Sequence, residues 1–211
     1  VLQEALRVHD GELAVNPGDT TAFNALVNEG LLKFTGMALC ITDSAVVMTV
    51  AAHTPVYDFR GAAFGKKMAW IESLVIDGIP LERWKVGEME WWWAQTPEGQ
   101  ATRFMDEEPH HVRLWPTPAA VAVSAIATGY VLHPTLVLDA DPVLLPDELV
   151  GPAACYVAFD LIGRGNNKDE VANLLLLGQK AAEAWAGKAR ANRDRMMVRG
   201  RGRGSSWHRM G

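Results

Sequence analysis

Cysteine is nearly absent from this chain. Cys40 and Cys155 are the two present in 211 residues, and they lie 115 positions apart. Each sits in an apolar stretch, and no His/Cys cluster accompanies either, which excludes a CxxC redox or zinc motif and reads as two buried, reduced thiols. Long apolar runs are absent too. No stretch approaches 18 uninterrupted apolar residues, so no transmembrane helix and no membrane partner are expected. The opening VLQEALRVHD carries acids early and lacks a signal-peptide pattern. It also lacks an initiator Met, which reads as processing or trimming. No GxSxG, HExxH or GxGxxG occurs. Internal repeats are absent, and so are low-complexity tracts before residue 199.

What is present is ordinary globular composition, 49% apolar and 21% charged. The length suits one medium domain, or a small domain with an insertion, and is enough to bury a sizeable core. Charge is distributed unevenly. Eight of the 20 Lys/Arg but one of the 25 Asp/Glu lie from Lys188 onward, so residues 1–187 carry −12 and the remainder +7. This is an acidic body with a basic, partner-seeking end.

Leu2, Ala5 and Leu6 mark a short first helix. Asn16-Pro17-Gly18 is a turn, and Asp19, Thr20 and Thr21 offer helix caps. Phe23, Val27, Leu31 and Phe34 recur at helical spacing, predicting a helix over about 21–36 with Gly36 as its stop. The texture then turns to β. Ala45–Ala52 and Trp70–Ile76 read as strands, and Asp77-Gly78 is a hairpin turn leading to an edge segment at Pro80. A short helix is expected over 85–94. Ala101–Met105 and His111–Trp115 form a second hairpin, and Ala119–Leu132 reads as a long strand. Pro146, Asp147 and Glu148 open a helix to about 162. Another helix follows from Lys168 to about Arg195, with Leu174, Leu177, Ala181 and Trp185 on its apolar side.

Segregated elements of this kind imply an α+β fold. The expectation is a helical bundle formed by the N- and C-terminal helices, with an inserted β-rich domain and an extended C-terminal arm. Its parts are residues 1–44 and 139–195 for the bundle, 45–138 for the insert and 196–211 for the arm.

Candidates for chemistry are weak. GAAFGKK (Gly61–Lys67) has three residues between its glycines where a phosphate loop needs four, and it lacks the Ser/Thr for magnesium. His110-His111 follow Glu107-Glu108, but adjacent histidines on a strand point to opposite faces and do not share one ion easily. Asp139 and Asp141 precede a helix, where Asp serves turns and caps. No enzyme activity, metal or cofactor is expected.

Two stretches look adhesive instead. Trp91-Trp92-Trp93 on a helix would fan over roughly 200°. Val86, Met89 and Trp93 share one face, so Trp93 is assigned to the core. Trp91 and Trp92 are left either under a loop of the same subunit or at a subunit interface. The other stretch is MMVRGRGRGSSWHRMG, Met196–Gly211. Its glycines oppose helix, its arginines suit carboxylate or phosphate, and Trp207 could anchor in a pocket. RGRG is similar to the RGG segments of single-stranded nucleic-acid binders. The body has no basic stripe with interleaved aromatics, so a protein partner is favoured over nucleic acid. A nucleic-acid-associated protein binding through this Arg/Gly tail is the alternative.

The order and spacing of "NEGLLKF", "TPVYDF", "WIESLVIDGIPLERW", "VRLWPTP", "TGYVL" and "DPVLLPDELVGPAACYVAFDLI", followed by a long final helix, resemble the head-to-tail adaptor proteins of tailed bacteriophages over about residues 1–195. The resemblance implies a virion protein at the head–tail junction. It would form a ring of about twelve copies between the portal ring and a tail or nozzle protein, around a channel through which viral DNA passes without sequence-specific binding. It implies a C-terminal segment docking on the portal, which assigns Arg199, Arg201, Arg203, Trp207 and Arg209 to that contact. Trp91 and Trp92 would meet the next subunit of the ring. The family's arm often continues as helix; the glycines here point to an extended one.

Overall fold

The computed structural model describes residues 20–84, 97–107, 110–137, 141–162 and 168–201, with the side chains at 20, 160–162, 168–171 and 192–201 left aside. The described residues fall into two compact units. One is built from the residues up to Cys40 and from Thr135 onward, the other from Ile41–Pro134.

The first unit holds three helices. α1 spans Thr20–Ala38, α2 Asp147–Ile162 and α3 Lys168–Arg201. In α1, Leu31, Phe34 and Ala38 are buried at spacings of three and four, and Thr35 is buried beside them with its hydroxyl donating to the Leu31 carbonyl at 2.8 Å. The helix runs through Gly36, not to it. It ends where Leu39 turns left-handed (φ 50°) and its N–H bonds the Thr35 carbonyl. In α2, Asp147 and Glu148 occupy the first turn, where carboxylates suit the helix dipole, and Leu149, Ala153 and Val157 point into the core.

The buried face of α3 differs from the sequence expectation. Gly178, Ala182 and Ala186 face inward, with Ala181 and Trp185 half-buried beside them, while Leu177 is 59% exposed. The reason is the closeness of α2. A Cβ on Gly178 would stand 2.7 Å from the Tyr156 Cβ and 3.0 Å from the Pro152 carbonyl oxygen. Helices this close accept small residues between them and turn leucine away.

The second unit holds ten described strands in three sheets. These are β1 Thr42–Val47, β2 Val56–Asp58, β3 Met68–Ile76, β4 Ile79–Pro80, β5 Glu82–Arg83, β6 Glu98–Gly99, β7 Arg103–Glu107, β8 His111–Trp115, β9 Thr117–Pro118 and β10 Ala125–Val131. The sheets run β1-β10-β3-β4, β2-β8-β7-β5 and β6-β9. The expected Asp77-Gly78 turn is present, with φ of 49° and 80°, and Pro80 lies on the edge strand. The β7–β8 hairpin is also present, burying Phe104, Val112 and Leu114. The long strand expected over 119–132 is shorter, because pairing begins only at Ala125. The helix expected over 85–94 lies outside the described residues.

The architecture expected from sequence is therefore corrected. Among the described residues, the core cluster of the sheets holds eighteen buried side chains and that of the helices seven. The sheets are the main folded body, not an insert in a helical bundle. The extended arm is corrected over 196–201, where α3 stays helical as far as Arg201; residues 202–211 lie outside the described residues. One glycine inside a helix costs about 1 kcal/mol. The helix accommodates Gly200.

Side chains lock the sheets together. The Arg83 guanidinium lies 4.3 Å from the Trp70 ring centre and 5.4 Å from that of Phe104, donates to the Ile71 carbonyl at 2.8 Å and pairs with Asp106. It joins β5 to β3 and β7. Arg103 covers Trp84, which stacks on Trp115.

β10 and β3 approach closely at Gly129. A Cβ there would sit 2.1 Å from the Trp70 carbonyl oxygen, beside a register shift. Gly129→Ala is expected to destabilise the chain by about 2–3 kcal/mol in urea unfolding. Gly151→Ala is the control. It meets nothing within 4 Å on a helix, and should be neutral or stabilising by up to about 1 kcal/mol. Equal effects of the two substitutions would refute this account of Gly129.

His133 is buried at the end of the same unit, and burial holds its pKa below the ordinary imidazole value. The unfolded chain therefore takes up this proton at a higher pH than the folded one. The stability His133 contributes is complete above the unfolded value and is lost as pH falls through about 6.5 toward the folded value. Unfolding free energy should decline across that window, and His133→Gln should make the slope shallower. An unchanged slope in the variant would show that His133 does not titrate as described.

Candidate functional site

The residues assigned from sequence to partner contacts fall mostly outside what the structure describes. Trp91, Trp92, Arg203, Trp207 and Arg209 lie outside the described residues. Arg199 and Arg201 lie on the last turn of α3. The short helix at Leu2–Leu6 and the turn at 163–167 are also outside.

The candidate chemical motifs have structural roles. In GAAFGKK, Phe64 is buried in the sheet core, and the Lys66 ammonium binds the Asp43 carboxylate at 2.5 Å. That bond, with the Ala45 N–H, lowers the Asp43 pKa. Glu107 pairs with Arg113, and the His110 ring meets the Phe59 ring edge-on at 5.8 Å. Asp141 accepts the Val137 N–H at 2.6 Å, the turn-fastening role open to an Asp before a helix. Asp139 and Glu108 lie outside the described residues. Burial pushes the Cys40 thiol up to about 11, so it stays protonated and unreactive near neutral pH. No group of three metal-ligating side chains exists among the described residues, and no described helix is long and apolar enough to cross a membrane.

Surfaces are more informative than side-chain clusters. On the β unit, an apolar row crosses one face of the first sheet, through the register pairs Val47↔Ile126, Ile126↔Val75 and Val75↔Pro80. Val47 and Ile126 are exposed in it.

The helical unit holds an open apolar pocket of about 270 Å³. Val27 and Leu31 of α1, Val150 and Ala154 of α2, and Leu136 and Leu145 of the returning chain line it. One side chain fixes the wall that the returning chain supplies. Asn28 donates its amide N–H to the Leu136 carbonyl at 2.9 Å and accepts the Leu136 N–H at 2.7 Å. The same unit exposes Leu176 and Leu177 on α3. Neither the pocket nor these exposed leucines was anticipated from sequence. The signal was Leu174–Leu177, four leucines in succession on a helix. They span about 300° of arc, more than one buried face can cover.

Asn28→Ala is expected to cost about 1–3 kcal/mol, because both backbone groups of Leu136 lose their partner. Asn28→Asp restores the acceptor alone and should not rescue. Thermal unfolding of the three chains checks this, and a fully stable Asp variant would refute the two-bond account.

A family model described as SU10 adaptor protein matches residues 2–209. No curated protein matches the chain. The match covers nearly the whole length, and the chain belongs to the SU10 adaptor family of phage head-to-tail adaptors.

Proposed function

We propose that this SU10-family adaptor joins the portal to the tail or nozzle as a ring of about twelve copies, docking on the portal through its basic C-terminal segment. Arg199, Arg201, Arg203, Trp207 and Arg209 make that contact. Trp91 and Trp92 meet the neighbouring subunit, and the acidic body faces the channel through which viral DNA slides. The protein acts by binding, not by catalysis. Family membership places it at the virion's head–tail junction, in association with portal and tail proteins.

The observation that carries the docking reading is the shape and charge of α3. Its 34 residues extend about 50 Å, against about 28 Å for α1 and about 24 Å for α2. Its far end gathers Lys188, Arg190, Arg193, Arg195, Arg199 and Arg201, with Asp194 the one acid among them. Basic residues at a helix C-terminus also suit the dipole there. A long helix with its cations at one end is a means of reaching a partner. Many weak arms on a ring hold firmly when each contact alone does not. Negative charge on the body repels phosphate and favours sliding over sticking.

Co-sedimentation with the cognate portal ring tests the proposal. The full chain should bind, and a chain stopped after Arg195 should not. Trp207→Ala should weaken binding by about 2 kcal/mol if the indole is an anchor. A DNA control runs alongside. If the truncated chain binds the portal equally well, the docking assignment fails. If the full chain ignores the portal but shifts DNA, the Arg/Gly segment is a nucleic-acid ligand instead.

A further inference from the structure

We infer that the α1–α2 pocket receives Leu176 and Leu177 of a second copy of this chain, with Lys180 of that copy set against Asp147 at the pocket's rim. The inference rests on the ring reading above and adds to it a specific contact between copies.

Leu176 and Leu177 are 45% and 59% exposed on α3, where the close approach of α2 at Gly178 leaves no inward room for large side chains. Two adjacent leucines on the outside of a helix form a small apolar projection. The pocket is its counterpart. Its described lining is Val, Leu and Ala throughout, including Val27, Leu31, Leu136 and Val150. A cavity of about 150 Å³ holds a benzene ring. One of about 270 Å³ therefore accommodates the four-carbon ends of two leucines.

Charge sets the orientation. Lys180 is exposed and lies three and four residues beyond the leucines, on their face of α3. Asp147 is exposed and lies three residues before Val150, so Asp147, Val150 and Ala154 fall along one stripe of α2. A cation beside the projection and an anion beside the pocket are complementary only when the leucines enter the pocket. The two surfaces are different parts of one chain. A contact between them is heterologous, and it leaves one free projection and one free pocket on every open assembly until a ring closes. Association then propagates from copy to copy.

Sedimentation velocity of the full chain over a concentration series provides the test, with circular dichroism to confirm folding. The parent chain should self-associate, and Leu177→Asp should weaken association at least about tenfold, since one buried leucine is lost. Lys180→Asp and Asp147→Lys should each weaken it, and the double exchange should restore it. The two charge exchanges lie on exposed positions, so they keep the test valid even where Leu177→Asp fails to fold. A parent that associates with all variants unchanged overturns this contact and leaves the ring reading in place. A parent that stays monomeric at every concentration overturns both. Association lost in either single exchange but not restored in the double overturns the pairing of Lys180 with Asp147.

Discussion

The amide of Asn28 holds together two parts of the helical unit that are 108 residues apart in sequence. Between them the chain makes the whole β unit, and on its return Leu136 must be placed beside α1 before α2 can begin. A backbone pair of N–H and C=O satisfied by one side chain fixes both position and direction, which apolar contact alone does not. The β unit solves the same problem with backbone. Its last strand, β10, lies between β1 and β3, and the Val131 N–H bonds the Ile41 carbonyl. Each unit thus joins its own early and late segments, at the entropic cost of closing a long loop. Once Leu136 is in place, it supplies a wall of the apolar pocket.

The sequence showed elements more clearly than architecture. α1 announced itself by apolar residues at spacings of three and four, α2 by Pro146 and the acids of its first turn, and the Asp77-Gly78 turn by its chemistry. Strands such as β4, β5, β6 and β9 are two residues long. No alternation can show in two residues, so the extent of the sheets was not legible, and the helices were given the larger share of the fold. The sheet core was the part most undervalued. Residues such as Phe59, Phe64 and Leu81, which lie outside every strand, are buried in it.

α3 failed differently. Its helical nature was clear, but periodicity ranks leucine above alanine as a core residue, and the close approach of α2 reverses that order. Gly178, Ala182 and Ala186 go in because they are small. Leu177 goes out for the same reason. The candidate site was least legible for a related cause. A pocket is made by residues of three separate segments, each of which reads in sequence as part of an ordinary apolar face. The basic end, by contrast, was visible at once, because charge asymmetry needs no fold to be seen. Its conformation was not, since Gly200 lies within the helix despite the weight given to glycine as a breaker.

Charge and shape divide the work of association in this chain. Copies of an acidic body repel one another, with residues 1–187 carrying −12. The proposed ring needs contacts whose energy does not depend on net charge. Apolar burial of a leucine pair in a preformed pocket has that property, and a single Lys–Asp pair at its edge adds orientation more than strength. The basic end of α3 operates in the opposite way. It carries +5 of the +7 found from Lys188 onward and is drawn toward any acidic or phosphate-rich surface. The Gly-rich residues beyond Arg201 provide little apolar area besides Trp207 to select among such surfaces. In the proposed docking, discrimination of a portal from DNA comes from the indole and from the geometry of many arms presented at once. The same close α2–α3 packing that expels Leu177 ties α3 to its unit, and the helix runs on from there into its basic end.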